Sequence, residues 1–424
     1  MRWMEVRNSG ALKGRITVPG SKNSALALLT ACCMADGTVT LNNVPDISDV
    51  RLLCEIEQEL GLRIEKNSTT YILDPRGLCN SVIAPDKSAS YRAAYYFAGA
   101  LLSRFKSVSI GYPGGDDFGS RPIDQHIKGL EALGAKFTFY KDYYTVKADK
   151  LTGTDIYFDV ITSGATINVM LAAVLANGRT TLRNAARDPE VVDTAVLLQK
   201  MGANIRGAGT SEITIEGVEK LSGCSHTVIP DRLVAGSFLI AAGVTGGDIT
   251  VEKIIPEHLL SCTAKLEEAG MSLEIGEDYI RVFKNKSHME GIMIKTSMYP
   301  GFATDLQQPL TAMLVGAQSH STIADTVYPC RNHHCHELNK MGANIIIKND
   351  CFVIPGKRKL TGTWVEASDV RAGICLILAG LSAKGTTYIT GVEHIERGYA
   401  YIADAFTALG ADITISEDSN IMEA

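Results

Sequence analysis

Six segments carry apolar residues all round a helical period instead of along one stripe: SKNSALALLTACCMADG from Ser21, SYRAAYYFAGALLSRF from Ser90, SGATINVMLAAVLANG from Ser163, DRLVAGSFLIAAGVTGG from Asp231, DLQQPLTAMLVGAQ from Asp305 and SDVRAGICLILAGLSAKG from Ser368. A helix with no polar face must be buried on every side. A short alternating strand follows, as in TVTLNNVP, TTLRNAARDP, DITVEKIIP and TTYITGVEH. Its two-residue period fits a sheet with one face covered and one in water. An amphipathic helix then closes on a glycine and a strand, as in LEALGAKFTF, LQKMGANIRG, LNKMGANIII and FTALGADITI. The closing positions are Gly61, Gly134, Gly202, Gly270, Gly342 and Gly410. Such a return at ~70 residues marks an internal repeat. The pattern predicts helices inside and strands outside. Three repeats make one globule and six make two, each of ordinary domain size. Domains that meet around a cleft commonly bind ligands there and close by hinge motion.

The starts of the inner helices gather unusual residues: Ser21-Lys22-Asn23, Ser90-Tyr91-Arg92, Ser163-Gly164-Ala165-Thr166, Thr304-Asp305 and Ser368-Asp369-Val370-Arg371. Ser and Asp there are ordinary N-caps. Lys22, Arg92 and Arg371 are not, because a cation in the first turn opposes the helix dipole unless an anion sits between them. The ligand is therefore expected to carry phosphate.

With 424 residues, 46% hydrophobic and 21% charged, the chain has the balance of an ordinary folded protein. Its formal net charge of -6 argues against general affinity for nucleic acid, so anion binding must be local. The first residues, MRWMEVRNSGALKGRI, hold no apolar core of a signal peptide, and the apolar runs fall short of the ~18 residues that spanning needs. A cytoplasmic protein without a membrane partner is the expectation. The ten cysteines form no CxxC pair, which fits a reducing compartment. Cys330, His333, His334, Cys335 and His336 have the chemistry of metal ligands but no second pair at zinc-finger spacing, and a solvated helix start is the other reading. The loop PGGDDFGSRP sets Asp116 and Asp117 side by side between glycines, where mutual repulsion favours one staying protonated. A plain turn is the other reading.

The motifs VPGSKNSALALL, GGDDFGSRPIDQHIKGLEALGA, NAARDPEVVDTA, TDLQQPLT, ASDVRAG and IERGY, in this order, resemble the enolpyruvyl transferase family along essentially the whole chain. Within it the sequence is more similar to the branch that works on UDP-N-acetylglucosamine than to the one that works on 3-phosphoshikimate. The resemblance implies an EPSP synthase-like α/β fold of two inside-out domains, each of three repeated units with buried helices and outer sheets. Residues 22–229 would form one domain, with the Asp116 loop mobile, and 1–21 plus 230–424 the other, with the active site in the cleft between them. It implies transfer of the enolpyruvyl group of phosphoenolpyruvate to the 3-hydroxyl of UDP-N-acetylglucosamine, with release of phosphate, as the first committed step of peptidoglycan precursor synthesis. No organic cofactor or metal is implied.

The same resemblance assigns roles. Lys22, Asn23, Arg121, Arg371 and Arg397 match the positions that hold phosphoenolpyruvate, whose two anionic groups require several cations. Asn23, Arg92, Arg121, Pro122, Ile123, Asp124, Gln125, Thr162, Ser163, Gly164, Asp305, Val327 and Arg331 match those around the nucleotide sugar. Within these, Arg121 to Gln125 resembles the loop that grips the uridine, and Thr162 to Gly164 the diphosphate cradle. His126 would orient its neighbours. Asp305 would take the proton of the sugar hydroxyl, with Lys22 and Arg397 also in catalytic positions. Asp116 stands where most members carry a cysteine that acts as general acid and is alkylated by fosfomycin; some carry aspartate. An active enzyme insensitive to fosfomycin is expected, since a carboxylate attacks the epoxide far less readily than a thiolate.

Val160 replaces a usual lysine, Val234 and Pro329 replace usual glutamates, and Tyr96 replaces a common tryptophan. These departures leave room for a different nucleotide or phosphorylated acceptor. A catalytically silent nucleotide-sugar sensor is a further alternative, but it would have no need of a complete donor pocket.

Overall fold

The computed structural model describes residues 2–115, 122–284, 288–348 and 351–417. These form two compact units, one of residues 20–115 with 122–229, the other of residues 2–19 with 230–417.

In the first unit the inner helices are Lys22–Cys32, Tyr96–Phe105 and Ser163–Ala173. Every residue from Ser24 to Cys32 and from Ala165 to Ala173 is buried, as helices apolar all round require. Small residues let them approach. Gly99 donates its amide to Asn168 Oδ1 at 2.9 Å, and a Cβ at Gly99 would lie 2.1 Å from the Asn168 carbonyl oxygen. One sheet per repeat lies outside. The first runs Ser225–Thr227, Val39–Asn42, Thr70–Asp74, Arg63–Asn67, and the third Asn204–Arg206, Glu212–Glu216, Arg179–Arg183, Asp155–Tyr157. The second has the three strands Ser107–Gly111, Tyr143–Lys147 and Lys136–Phe139. An isolated parallel bridge, Val82 to Ser109, stands where the other two have an outer parallel strand.

The second unit repeats the plan around Arg232–Thr245, Thr304–Leu314 and Val370–Ser382, with a four-stranded sheet on each repeat. In its last sheet the strand Arg2–Arg7 runs antiparallel between Thr386–Thr390 and Asp412–Glu417, with Met4 opposite both Ile389 and Ile415. The sixth repeat is thus completed by a strand from the other end of the chain. Helices inside and sheets outside is the class that the repeat pattern predicted.

The glycines closing the amphipathic helices share one conformation, with φ of 105° at Gly61, 107° at Gly202 and 98° at Gly410. At Gly202 and Gly410 nothing stands within 4 Å of a would-be Cβ, so the requirement there is the positive φ and not room. No helix among the described residues is long and apolar enough to cross a membrane.

Candidate functional site

In the first unit Lys22 opens its helix behind the N-cap Ser21, whose hydroxyl accepts the Ser24 amide. The Lys22 ammonium lies 2.7 Å from Asp49 Oδ2, and both side chains are largely out of water. Asp49 sits in the first turn of Ser48–Glu59, where its charge also suits the helix dipole. The cation that opposed its own dipole therefore has a counterion from the next helix. Asn23 follows it, half-buried.

Arg92 departs from the expected position. Tyr91 is extended, at φ -148° and ψ 152°, so Arg92 begins a short 3-10 turn, Arg92–Tyr95, and the inner helix proper starts at Tyr96. The guanidinium lies 5.7 Å from the centre of the Tyr95 ring, which in turn lies 4.3 Å from the His126 ring. His126 is buried. Asn168 Oδ1 accepts the Gly99 amide, which turns the Asn168 NH2 towards His126 Nδ1 at 3.0 Å and leaves the ring proton on Nε2. Burial, helped by the charge of Arg92, pushes the His126 pKa down to about 3, so the ring is neutral at physiological pH.

The segments around Asp124-Gln125 and Thr162-Gly164 come together beside it. Asp124 opens the helix Asp124–Ala132, and Gln125 gives its NH2 to Asp124 Oδ2 at 2.8 Å while accepting the Asp159 amide at 2.9 Å. Thr162 caps the helix Ser163–Ala173, and a Cβ on Gly164 would lie 2.8 Å from the Tyr95 hydroxyl and 3.3 Å from His126 Cε1. Glycine is needed there for close approach. Pro122 and Asp124 are exposed, Ile123, Thr162, Ser163 and Gly164 half-buried, and Val160 exposed. Tyr96 is buried in the core.

The second unit gathers a denser set. Asp305, in the first turn of Thr304–Leu314, accepts from Arg331 Nη1 at 2.6 Å and from Arg371 Nε at 3.0 Å. Arg331 Nη2 also donates to Asp369 Oδ1 at 3.0 Å, the same oxygen that caps the Arg371 amide at 2.8 Å. Arg371 reaches the Tyr399 hydroxyl at 2.9 Å, which pairs with Ser237 at 2.7 Å. Arg331 and Arg371 are almost fully buried. Burial alone would raise the pKa of Asp305, but the charges of Arg371 and Arg331 outweigh it and hold the carboxyl well below the usual range. Val327 gives its amide to Asp325 Oδ1 at 3.0 Å, which shapes the turn leading to Arg331. Arg397 is half-buried just after the helix Val392–Glu396. Val234 lies in the core, its amide bound by the Asp231 cap at 3.0 Å, and Pro329 is exposed.

Asp116, Asp117 and Arg121 lie outside the described residues. The Cys330 to His336 run is neither a metal cage nor a wholly solvated helix start. On the helix His333–Lys340, His334 and Cys335 are buried while His333 and His336 are exposed, as is Cys330 before it. Burial pushes the His334 pKa down to about 3. Among the described residues no group of three His, Cys, Asp or Glu side chains could hold a metal ion. Sequence reasoning missed Asp49, Tyr399 and Ser237, whose only signal is their distance from a cation in the folded chain.

Largely buried cations stand at or near the starts of inner helices in both units, each beside a carboxylate of the chain itself: Lys22 beside Asp49, and Arg331 and Arg371 beside Asp305. The pattern of the EPSP synthase (3-phosphoshikimate 1-carboxyvinyltransferase) family matches residues 6–406, and the chain belongs to that family. It is 47% identical over 410 residues to UDP-N-acetylglucosamine 1-carboxyvinyltransferase 2 of Geobacillus kaustophilus, covering 97% of this chain and 96% of that one. The proteins of the same name from Listeria monocytogenes and Bacillus subtilis are 48% and 45% identical, over 97% of this chain and 97% and 96% of theirs. The fold is similar to the crystal structure of the enolpyruvyl transferase NikO from Streptomyces tendae, with a TM-score of 0.90 at 22% identity, covering 98% and 99% of the two chains. EPSP synthase from Acinetobacter baumannii follows at 0.76 and 19%, covering 98% and 100%.

Proposed function

We propose that the protein transfers the enolpyruvyl group of phosphoenolpyruvate to the 3-hydroxyl of UDP-N-acetylglucosamine with release of phosphate, in the cytoplasm, as the first committed step of peptidoglycan precursor synthesis. The observation that carries this is the full-length identity to relatives bearing that name. The meeting of the Asp124-Gln125 segment with the Thr162 helix start also supports a nucleotide diphosphate acceptor.

Retaining the carbon–carbon double bond while phosphate departs requires addition followed by elimination. The hydroxyl oxygen bonds to C2 of the donor as C3 takes up a proton; phosphate then leaves C2 and C3 returns a proton. Asp305 takes the hydroxyl proton and Asp116 serves C3. Lys22, Arg121, Arg371 and Arg397 hold the donor's anionic groups, with Asn23 beside them, while Arg92 and Arg331 face the sugar nucleotide. Two guanidiniums make Asp305 a weak base in the free protein. An anionic donor that draws Arg371 to itself raises the pKa of Asp305 when a base is needed.

Phosphate release from phosphoenolpyruvate, measured with UDP-N-acetylglucosamine, other nucleotide sugars and 3-phosphoshikimate, tests the reading. Release is expected with the first alone; release only with 3-phosphoshikimate reassigns the acceptor, and none with any rejects the reaction. Asp116→Asn should abolish turnover and keep nucleotide-sugar binding. Fosfomycin should cause no time-dependent loss of activity, whereas Asp116→Cys should become sensitive.

A further inference from the structure

Beneath Lys22 runs a buried polar chain that the reaction does not use. Ser24, Asp193 and His226 are 0%, 4% and 5% exposed. Ser24 Oγ donates to Asp193 Oδ2, and Asp193 Oδ1 is 2.8 Å from His226 Nε2. His226 Nδ1 is 3.0 Å from the ammonium of Lys200, the last residue of the helix Pro189–Lys200. An ammonium has no acceptor, so Nδ1 must accept and the ring proton must sit on Nε2, aimed at Asp193. Asp193 Oδ2 also takes the Ile229 amide at 3.4 Å, and the Ile229 carbonyl takes the Ser21 amide at 2.7 Å. The chain thus ties the first turn of the Lys22 helix to the outer strand Ser225–Thr227 of the first sheet and to the helix Pro189–Lys200 of the third repeat. Apolar residues would supply cohesion at such a site without the desolvation cost of a carboxylate. A fully connected polar chain fixes geometry instead.

We propose that Asp193 and His226 are positioning residues that aim Lys22 at the donor through Ser24. The role rests on the reading of Lys22 as a donor-binding cation. Asp49 holds the head of the Lys22 side chain, and the buried chain holds its root.

The direction of the hydrogen bonds supplies the test. In Asp193→Asn the amide oxygen serves Ser24 and Ile229, and the NH2 faces His226 Nε2. The ring must then carry its proton on Nδ1, donor against donor with Lys200. Lys200→Glu restores an acceptor there, so the double variant reconnects what the single one breaks. Asp193→Asn is expected to raise KM for phosphoenolpyruvate on the order of tenfold, with kcat and KM for the nucleotide sugar within about twofold. The double variant should return to within about threefold of the parent. A single variant with unchanged KM, or a double variant no better than the single, overturns the proposal. Ser24→Ala, a smaller change expected in the same direction, serves if Asp193→Asn does not fold, and an unchanged KM there also overturns it. The rate of reductive methylation of Lys22, followed by mass spectrometry, gives a reading independent of turnover. It should change in the single variant and revert in the double. That result upholds the relay even if the phosphate-release assay rejects the reaction, and constant labelling sinks the relay while leaving the reaction intact.

Discussion

Each unit draws a carboxylate out of bulk water, Glu57 completely and Asp305 to a side-chain exposure of 26%, and the two respond in opposite ways. Glu57, in the first unit, is fully buried, with the Cys33 thiol 4.0 Å from one oxygen and no partner for the other. Burial pushes its pKa up to about 8. Asp305 also suffers desolvation, yet Arg371 and Arg331 carry its pKa the other way. Burial alone makes a neutral acid; burial with two guanidiniums makes an anion whose basicity depends on what those guanidiniums touch. The difference separates a carboxyl group kept as part of a core from one that a ligand can retune. Their effects on stability fall in opposite pH windows. Glu57 contributes fully below its unfolded pKa of ~4.3 and loses that contribution as pH rises through about 8. Asp305 contributes above its unfolded ~3.9 and loses the contribution as pH falls through its lower folded value.

The largest effect should come from Asp305→Asn, which keeps the shape and removes the base. Phosphate release should fall by about 10²–10⁴-fold while nucleotide-sugar binding persists. A kcat within tenfold of the parent would show that the Arg-bound carboxylate is as much a bystander as Glu57. Glu57→Gln should flatten the pH dependence of stability. Urea unfolding of the parent between pH 5 and pH 8 should show a loss of up to roughly 4 kcal/mol that the variant lacks. Equal slopes in the two proteins would mean that Glu57 is not the group being ionised. Asp49→Asn should matter least. Asp49 is the counterion of Lys22 and has no proton to carry, so KM for phosphoenolpyruvate should move by no more than about tenfold and kcat should hold.

Much of the architecture was legible because its signals are local. Apolar residues at every helical position, alternation in the strands and a glycine at each helix end are properties of short segments. The starts at Lys22, Thr162 and Asp305 were legible for the same reason, through capping residues and a cation against the dipole. The break at Tyr91 was not, since SYRAAYY reads as continuous helix until tertiary packing extends one residue. Partners were not legible either. Asp49 for Lys22, Asp369 and Tyr399 for the arginines, and Asp193 with His226 under Ser24 are brought together across tens to hundreds of residues, and one sequence carries no trace of such pairings. The Cys330 to His336 run shows the reverse error: residues adjacent in the chain, and alike in chemistry, face opposite ways.

The strand Arg2–Arg7 gives the chain an order of assembly on the ribosome. Both segments of the first unit, 20–115 and 122–229, emerge well before the partners of Arg2–Arg7, which has neither neighbour until Thr386–Thr390 and Asp412–Glu417 are synthesised. For most of translation that ribbon is an unpaired edge, and its Arg2, Glu5 and Arg7 are the kind of charged side chains that discourage it from joining the wrong sheet while it waits.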